Sequence, residues 1–286
     1  MYYWDDVSGR RTTVGRSIGR GEKPSPREKP MFSDQKIFFF ARFAIALALL
    51  AMMFGISPVR PAYADTIIVT NTADSGPGSL RTAILNAAPG DTITFDPSLA
   101  GQTITLTTQL SIDKNLTIHG SGLNPPVVLS GGNTTRIMQI SFTAQVTISG
   151  ITFTQGASPD SGGAIDVIHT ASVTLENSAL NQNQAAGSGG AIALTGTGSI
   201  TVVNSTLHQN QAGGSGGAIL SAGNGILTIV GSIFSNNQAG GNGGAISGGG
   251  ITVAESTLSS NSADGMDTSI VGRVMVSAGT TSGFRS

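Results

Sequence analysis

The sequence predicts an all-β fold, a right-handed parallel β-helix of 27-residue coils, on three observations. Gly-Gly-Ala-Ile recurs four times at a constant 27-residue interval. The segments between alternate apolar with polar residues, the two-residue period of a strand. Glycine is abundant, 40 residues in all, and the repeats show no i, i+3, i+4 apolar pattern, which excludes a helical solenoid.

The repeat fixes the register of the coils. Its first block is Gly162, Gly163, Ala164, Ile165, then Gly189, Gly190, Ala191, Ile192, then Gly216, Gly217, Ala218, Ile219, then Gly243, Gly244, Ala245, Ile246. A second block starts at Val173, Ile200, Leu227 and Ile251 and ends at Asn183, Asn210, Asn237 and Asn261. A period of this length means stacked units, each completed by its neighbours. Each coil reads as three strands, at Ala-Ile, at Val-Thr-Leu and at Ser-x-Leu, separated by Gly-rich or Asn-rich turns. The four asparagines then form a ladder at one turn, with side-chain amides hydrogen-bonding along the stack. Ile165, Ile192, Ile219 and Ile246 form one inward column; Leu180, Leu207, Phe234 and Leu258 form another, in an interior expected to be aliphatic throughout.

The ends differ from the coils. Residues 37–56 are apolar except for Arg42, follow a basic leader, and precede Ala62-Tyr63-Ala64. This is a signal-peptide layout with cleavage expected between Ala64 and Asp65; Met31 would open a leader of ordinary length. The unbroken apolar run, residues 43–56, falls short of the roughly 20 residues a bilayer span needs, so no transmembrane anchor is expected in the mature chain. Residues 65–112 read as an N-terminal cap, with Leu80, Ala83, Ile84 and Ala87 at helical spacing and Pro89-Gly90 ending the helix. Residues 113–276 read as the β-helix coils, with Ile270–Val276 as a degenerate last strand, and residues 277–286 as a frayed tail.

Charge and composition narrow the function. The leader holds ten of the 15 Lys and Arg and five of the 16 Asp and Glu, leaving five basic and eleven acidic side chains beyond Ala64. Nucleic acid is not expected as a partner, because it requires clustered Lys and Arg. The chain has no Cys, so an exported protein of this sequence forms no disulfide, and its Trp and three Tyr all lie before Ala64.

The repeats resemble those of the polymorphic outer membrane proteins of the chlamydial type, which carry Gly-Gly-Ala-Ile together with Phe-x-x-Asn. The second motif is literal at Phe234–Asn237 and has Leu for Phe at Leu180–Asn183, Leu207–Asn210 and Leu258–Asn261. Gly78–Ile84 is similar to the CSLREA-type N-terminal module of bacterial surface β-helices, with Gly78 at the module's Cys and Thr82 at its Glu. The resemblance implies a secreted or cell-envelope protein, often adhesive; the sequence departs from the chlamydial pattern in that none of it reads as their C-terminal barrel.

The same fold, that of the pectin lyases, also serves polysaccharide-cleaving enzymes. Glycoside hydrolysis needs two carboxylates facing one cleft. The repeats offer Asp160, Asp166, Glu176 and Glu255, none with an acidic neighbour in the same column of the next coil, so they read as solvated surface charges. A lyase needs a base, and no Lys or Arg occurs between Arg136 and Arg273. His119, His169 and His208 are dispersed, and Asp264-Gly-Met-Asp267 lacks the calcium nonapeptide pattern. The expectation is a non-enzymatic chain with no cofactor and no metal site. Glycans, a host or matrix surface, and self-association through the last coil remain as partners. A polysaccharide-active or carbohydrate-binding β-helix is the alternative. A minor one is an ice-binding solenoid, from the outward column Thr147, Thr174, Thr201, Thr228 and Thr252, whose regularity Glu176 interrupts two residues on.

Overall fold

The computed structural model describes residues 64–265, 269–276 and 281–282. The leader and the start at Met31 lie outside the described residues, as do Asp267 and most of the tail; the Ala64–Asp65 junction is the first pair described. The chain forms a right-handed parallel β-helix of about eight turns with 27-residue coils.

Stacking follows the sequence frame residue by residue. Ile165 pairs with Ile192, Ile192 with Ile219, and Ile219 with Ile246, all fully buried. Leu180, Leu207, Phe234 and Leu258 form the facing column. Each inward side chain thus rests on the same position one coil away, so every coil supplies the apolar surface that covers the next. The interior is not aliphatic throughout. Phe153 and Phe234 are fully buried in the leucine column, and Phe95, paired with Val69 on another sheet, is nearly so. Where the neighbours above and below are leucines the column has room for a ring, and the ring buries more apolar area.

A regular coil has four strands, not three. Beyond Ser172–Glu176, Ala179–Asn181 and Ile192–Leu194 lies the two-residue strand Gln184–Ala185, repeated at Gln211–Ala212, Gln238–Ala239 and Ser262–Ala263. Two residues are too few to show a period, which is why the segment reads as turn in the sequence.

Two internal ladders hold the corners between these strands. At each corner one residue takes a left-handed conformation, Asn177 (φ 48°) and Gln182 (φ 57°) in one coil, and the next side chain turns inward. After Gln182 comes Asn183, whose Nδ2 donates to Asn210 Oδ1 at 3.0 Å; Asn210 donates to Asn237 at 3.0 Å and Asn237 to Asn261 at 2.8 Å. After Asn177 comes Ser178, the first of a buried serine ladder with Ser205, Ser232 and Ser256. The hydroxyl of Ser205 accepts from the Ser178 backbone N–H at 3.1 Å and donates to the Val203 carbonyl at 2.8 Å. Both ladders satisfy backbone groups that a bent corner takes out of the strand ladder.

The Gly-Gly pair has a steric cause. The first glycine, Gly162, Gly189, Gly216 or Gly243, has φ between 66° and 70°. A Cβ on the second would lie 2.4 Å or less from a backbone oxygen of the neighbouring coil at Gly163, Gly190 and Gly217. One position demands left-handed backbone and the other close approach, so neither admits a side chain.

At the N-terminal end, Thr66–Val69 pairs with Thr92–Phe95, which pairs with Leu116–His119. The helix Leu80–Asn86 lies over this end with Leu80, Ala83 and Ile84 buried. Ser79 caps its start by accepting from Thr82 N–H at 3.3 Å, and Lys114 caps its end by donating to the carbonyls of Ile84, Leu85 and Ala87. Arg81 anchors the helix to the next turn through Asp74 and the carbonyls of Thr108 and Gln109. Burial tends to raise the Asp74 pKa, but hydrogen bonds from Thr107 and Arg81 and the Arg81 charge outweigh it and hold the carboxyl below its ordinary value. Gly78 has φ 78°, and a Cβ there would strike Thr70 Oγ1 and Asn71 Nδ2.

At the other end the frame shortens. Asn237 and Asn261 are 24 residues apart, and the turn between two faces is replaced by Gly248-Gly249-Gly250 inside a single nine-residue strand, Ile246–Ala254. This strand joins two faces of the solenoid into one 14-stranded sheet. Ile270–Val276 pairs with it, Ile270 on Ile246.

Candidate functional site

The short strands place a column of amides on the outside of the helix. In Gln182-Asn183-Gln184-Ala185, the corner residue Gln182 is exposed, Asn183 is fully buried in the ladder, Gln184 is exposed and Ala185 buried. The coil period copies this pattern, so Gln184, Gln211 and Gln238 stack in register. Gln155, Gln182, Gln209 and Asn236 form a parallel column at the left-handed corner.

Two open grooves flank the Gln184 column. One, of about 530 Å³, is lined almost wholly by amides, including Asn133, Gln155, Gln182, Gln209 and Asn236. The other, of about 570 Å³, has small residues along its length, Ala186, Gly213 and Gly240, with Thr134 and Ser158 at one end and Asp264 at the other. Some corner amides are engaged: Gln182 Nε2 donates to Gln209 Oε1 at 3.4 Å, and Gln155 Oε1 accepts from the Ser130 hydroxyl at 3.1 Å. No cation lines either groove. The face can hydrogen-bond a neutral polar partner repeatedly along the axis. Its one ionisable side chain is Asp264, at the end of the second groove.

The carboxylates weighed for catalysis are dispersed. Glu176 ends the strand Ser172–Glu176 between Ser149 and Val203; Glu255 sits exposed at a left-handed corner (φ 51°); Asp160 is exposed in a turn. Asp166 is the correction. It is not a solvated surface charge but 7 % exposed, and its column continues as Ala193, Leu220 and Ser247. Arg136, from the preceding coil, reaches its Oδ2 at 3.6 Å, and Gln139 Nε2 donates to the same oxygen at 3.2 Å; Oδ1 is buried without a partner. Burial pushes the Asp166 carboxyl above its ordinary value, against the opposing pull of Arg136 and Gln139. Arg136 also donates to the carbonyls of Gly162 and Ser161, to Gln109 Oε1 and to the Ser158 hydroxyl, each at 2.9 Å. Four guanidinium N–H groups therefore donate within the protein and the charge pairs with Asp166, so the pair is a clasp between coils. Sequence reasoning noted Arg136 only as the boundary of a stretch without cations; its offset from the 27-residue frame hid the pairing.

The histidines stay apart. His119 Nδ1 lies 2.9 Å from the Ser149 hydroxyl and His208 Nδ1 2.9 Å from that of Ser235, while His169 stacks on Phe142 with ring centroids 5.4 Å apart. Among the described residues no three His, Cys, Asp or Glu side chains cluster as metal ligands would. Thr147, Thr174, Thr201, Thr228 and Thr252 stack in register and are partly exposed.

Comparison with known families finds one stretch that matches. Residues 231–251 match the Chlamydia polymorphic membrane protein (Chlamydia_PMP) repeat. The stretch runs from Gly231 through Phe234–Asn237 and Gly243–Ile246 to Ile251, less than one coil of the solenoid. Among solved structures the chain is similar to Jun a 1, the major allergen from cedar pollen, with 15 % identity and a TM-score of 0.43 over 79 % of this chain and 81 % of that one. No curated protein sequence matches. Among the described residues no helix is long and apolar enough to cross a membrane. The repeat and the fold support a surface-type β-helix protein.

Proposed function

We propose that this chain is an exported, non-enzymatic β-helix that serves as an adhesive or structural scaffold at the cell envelope, with the amide-lined face making its contacts. The observation that carries this reading is the contrast between two sets of side chains. Uncharged amides repeat in register beside two grooves, whereas the carboxylates are placed singly on different strands and corners. A rigid stack of near-identical coils suits repeated weak contacts, because each coil adds one copy of the same surface. The repeat match in residues 231–251 points the same way.

Export has its own support. The Asp65 backbone nitrogen lies 2.8 Å from Asp91 Oδ1, and Asp91 is 5 % exposed. Cleavage after Ala64 turns that nitrogen into a charged amine set against a buried carboxylate, so the cut end gains an ion pair.

The test is adhesion. Beads coated with the full chain are counted on bacterial cells, host cells and extracellular matrix, against beads carrying Gln184→Ala, Gln211→Ala and Gln238→Ala together. Adhesion of the parent that the triple variant loses is the expected outcome. A parent chain that adheres to none of these surfaces, or a variant that adheres equally, contradicts the reading.

A further inference from the structure

We propose that the buried Asp91 carboxylate is the receptor for the amine freed when the Ala64–Asp65 bond is cut, so that processing at this bond, and at no neighbouring one, locks the N-terminal cap onto the solenoid. This rests on the export reading above and gives the cleavage a consequence for the folded chain.

Asp91 carries a charge without a counter-charge. It is 5 % exposed, and among the described residues no Lys, Arg or His stands within ion-pair distance of it; the ion pairs there are Arg81–Asp74 and Arg136–Asp166. Lys114, which reaches the end of the helix Leu80–Asn86, is turned to the carbonyls of Ile84, Leu85 and Ala87. The Asp91 carboxylate is met instead by backbone N–H groups, Oδ1 by that of Asp65 and Oδ2 by that of Ala88, each at 2.8 Å. A buried carboxylate held by neutral donors alone lacks the opposite charge that best offsets its loss of solvent.

One of these donors is the nitrogen that hydrolysis charges. Water adds across the bond, so that Ala64 leaves as a carboxylate and Asp65 keeps an amine. A free α-amine has a pKa of roughly 7.7–8 and is mostly protonated at neutral pH. The nitrogen has no need to move, because the Asp65 carbonyl accepts from the Thr92 N–H at 2.8 Å and its carboxylate from the Thr66 N–H at 3.1 Å. Only the donor's charge changes, and a charge-assisted hydrogen bond is about twice as strong as a neutral one.

The position is specific. Ala62 and Ala64 place the cut before Asp65 from sequence, and strand pairing independently places the Asp65 nitrogen on the carboxylate. A cut one residue earlier leaves that nitrogen a neutral amide and carries the charge about 3.8 Å further along the chain, onto exposed Ala64. A cut one residue later removes the nitrogen altogether. The lock also sits where the cap is joined. Asp91 Oδ1 holds the start of the strand Thr66–Val69, Oδ2 holds the segment leaving the helix, and the Asp91 carbonyl accepts from Thr117 N–H at 3.0 Å in the next turn. A firmer hold here protects the covered end of the stack from fraying.

A double-mutant cycle on the full chain tests this. In one form residues 61–64 are replaced by the recognition tetrapeptide of a protease that cuts directly after it, so the cut chain begins at Asp65. In the other, residues 60–63 are replaced and the cut releases a chain that begins at Ala64. Both are made with and without Asp91→Asn, which keeps an acceptor and the shape of the side chain. Thermal unfolding and amide exchange are read at neutral pH. With Asp91 in place, the chain that begins at Asp65 should melt about 2–4 °C above the other and exchange more slowly at Ala88 and Thr92. The Asp91→Asn pair should melt together. Acetylating the Asp65 amine, which removes its charge and leaves Asp91 untouched, should erase the same gain. Equal melting of the two chains that retain Asp91, a difference undiminished by Asp91→Asn, or a gain that survives acetylation overturns the proposal. Exported chains that begin at Asp65 yet show no coupling would remove the lock and leave the export reading standing. Coupling in a chain that exporting bacteria never cut at Ala64–Asp65 would remove that reading and, with it, processing as the trigger.

Discussion

Asn210→Ala should be among the more damaging single substitutions in the molecule, although it removes no apolar surface of note. Asn210 is fully buried, and its side chain makes four hydrogen bonds. It donates to the Leu180 carbonyl at 2.9 Å and to Asn237 Oδ1 at 3.0 Å, and accepts from the backbone N–H and Nδ2 of Asn183, both at 3.0 Å. With alanine, the Asn183 N–H loses its acceptor in a place no solvent reaches, at a cost of about 1–3 kcal/mol, and the other three bonds contribute roughly 1 kcal/mol each. A loss of about 4–6 kcal/mol is a large share of the ~5–15 kcal/mol that holds a typical domain together. For a chain of this size it lowers Tm by roughly 10–20 °C. Asn210→Asp separates polarity from shape. It keeps both acceptor bonds but sets a buried carboxylate against the Leu180 carbonyl and Asn237 Oδ1, so at neutral pH it should be worse than alanine. Its buried carboxyl should have a raised pKa, and such a group loses stability as pH rises through that value. The aspartate variant should therefore recover on acidification while the alanine variant does not. Thermal and urea unfolding followed by circular dichroism, at several pH values, measure all of this. An alanine variant that melts with the parent would refute the ladder's part in stability.

Three further expectations use other parts of the stack. Ile219→Asp puts an unpaired charge into the fully buried isoleucine column and should cost several kcal/mol in the same unfolding assay; a variant that melts like the parent would mean the register is wrong. The raised pKa of Asp166 implies stability that is present below the ordinary carboxylate range and lost as pH climbs through the raised value. Asp166→Asn should flatten that part of the Tm profile, and an unchanged pH dependence would show that the carboxylate is not destabilised by burial. The full chain should release neither reducing nor unsaturated sugars from pectin or polygalacturonate; release that disappears in Asp166→Ala or Glu176→Ala would make it an enzyme.

What the sequence reveals and what it hides divide along a physical line. Inward positions repeat because each must fit the same neighbour, so Ile165 to Ile246 and Asn183 to Asn261 stand out from periodicity alone. The Gly-Gly pair is equally visible, since φ and close approach each exclude a side chain. The serine ladder was harder to see: serine at strand ends is common, and only the 3.1 Å bonds between coils distinguish Ser178 and Ser205 from exposed turn residues. The Gln-Ala strand was too short to carry a period. The shortening at Gly248–Gly250 shows as three missing residues, but that it fuses two faces into one strand depends on pairing across coils. Asp166 escaped because its partner, Arg136, lies outside the repeat and meets it only in three dimensions. The amide face was legible as composition but not as a site. Only the corner conformation puts Gln182 and Gln184 on the same outer surface, with Asn183 buried between them.

The central claim, that this chain works outside the cell as a folded β-helix, is tested most directly by expressing the full chain in a bacterium with two membranes. Protease is then added to intact cells and medium, and the N-terminal sequence of the accessible protein is read. The account expects a chain that begins at Asp65, lies at the surface or in the medium, and resists digestion through its coils. A full-length chain that begins at or before Met31 and stays protected inside the cell would contradict it.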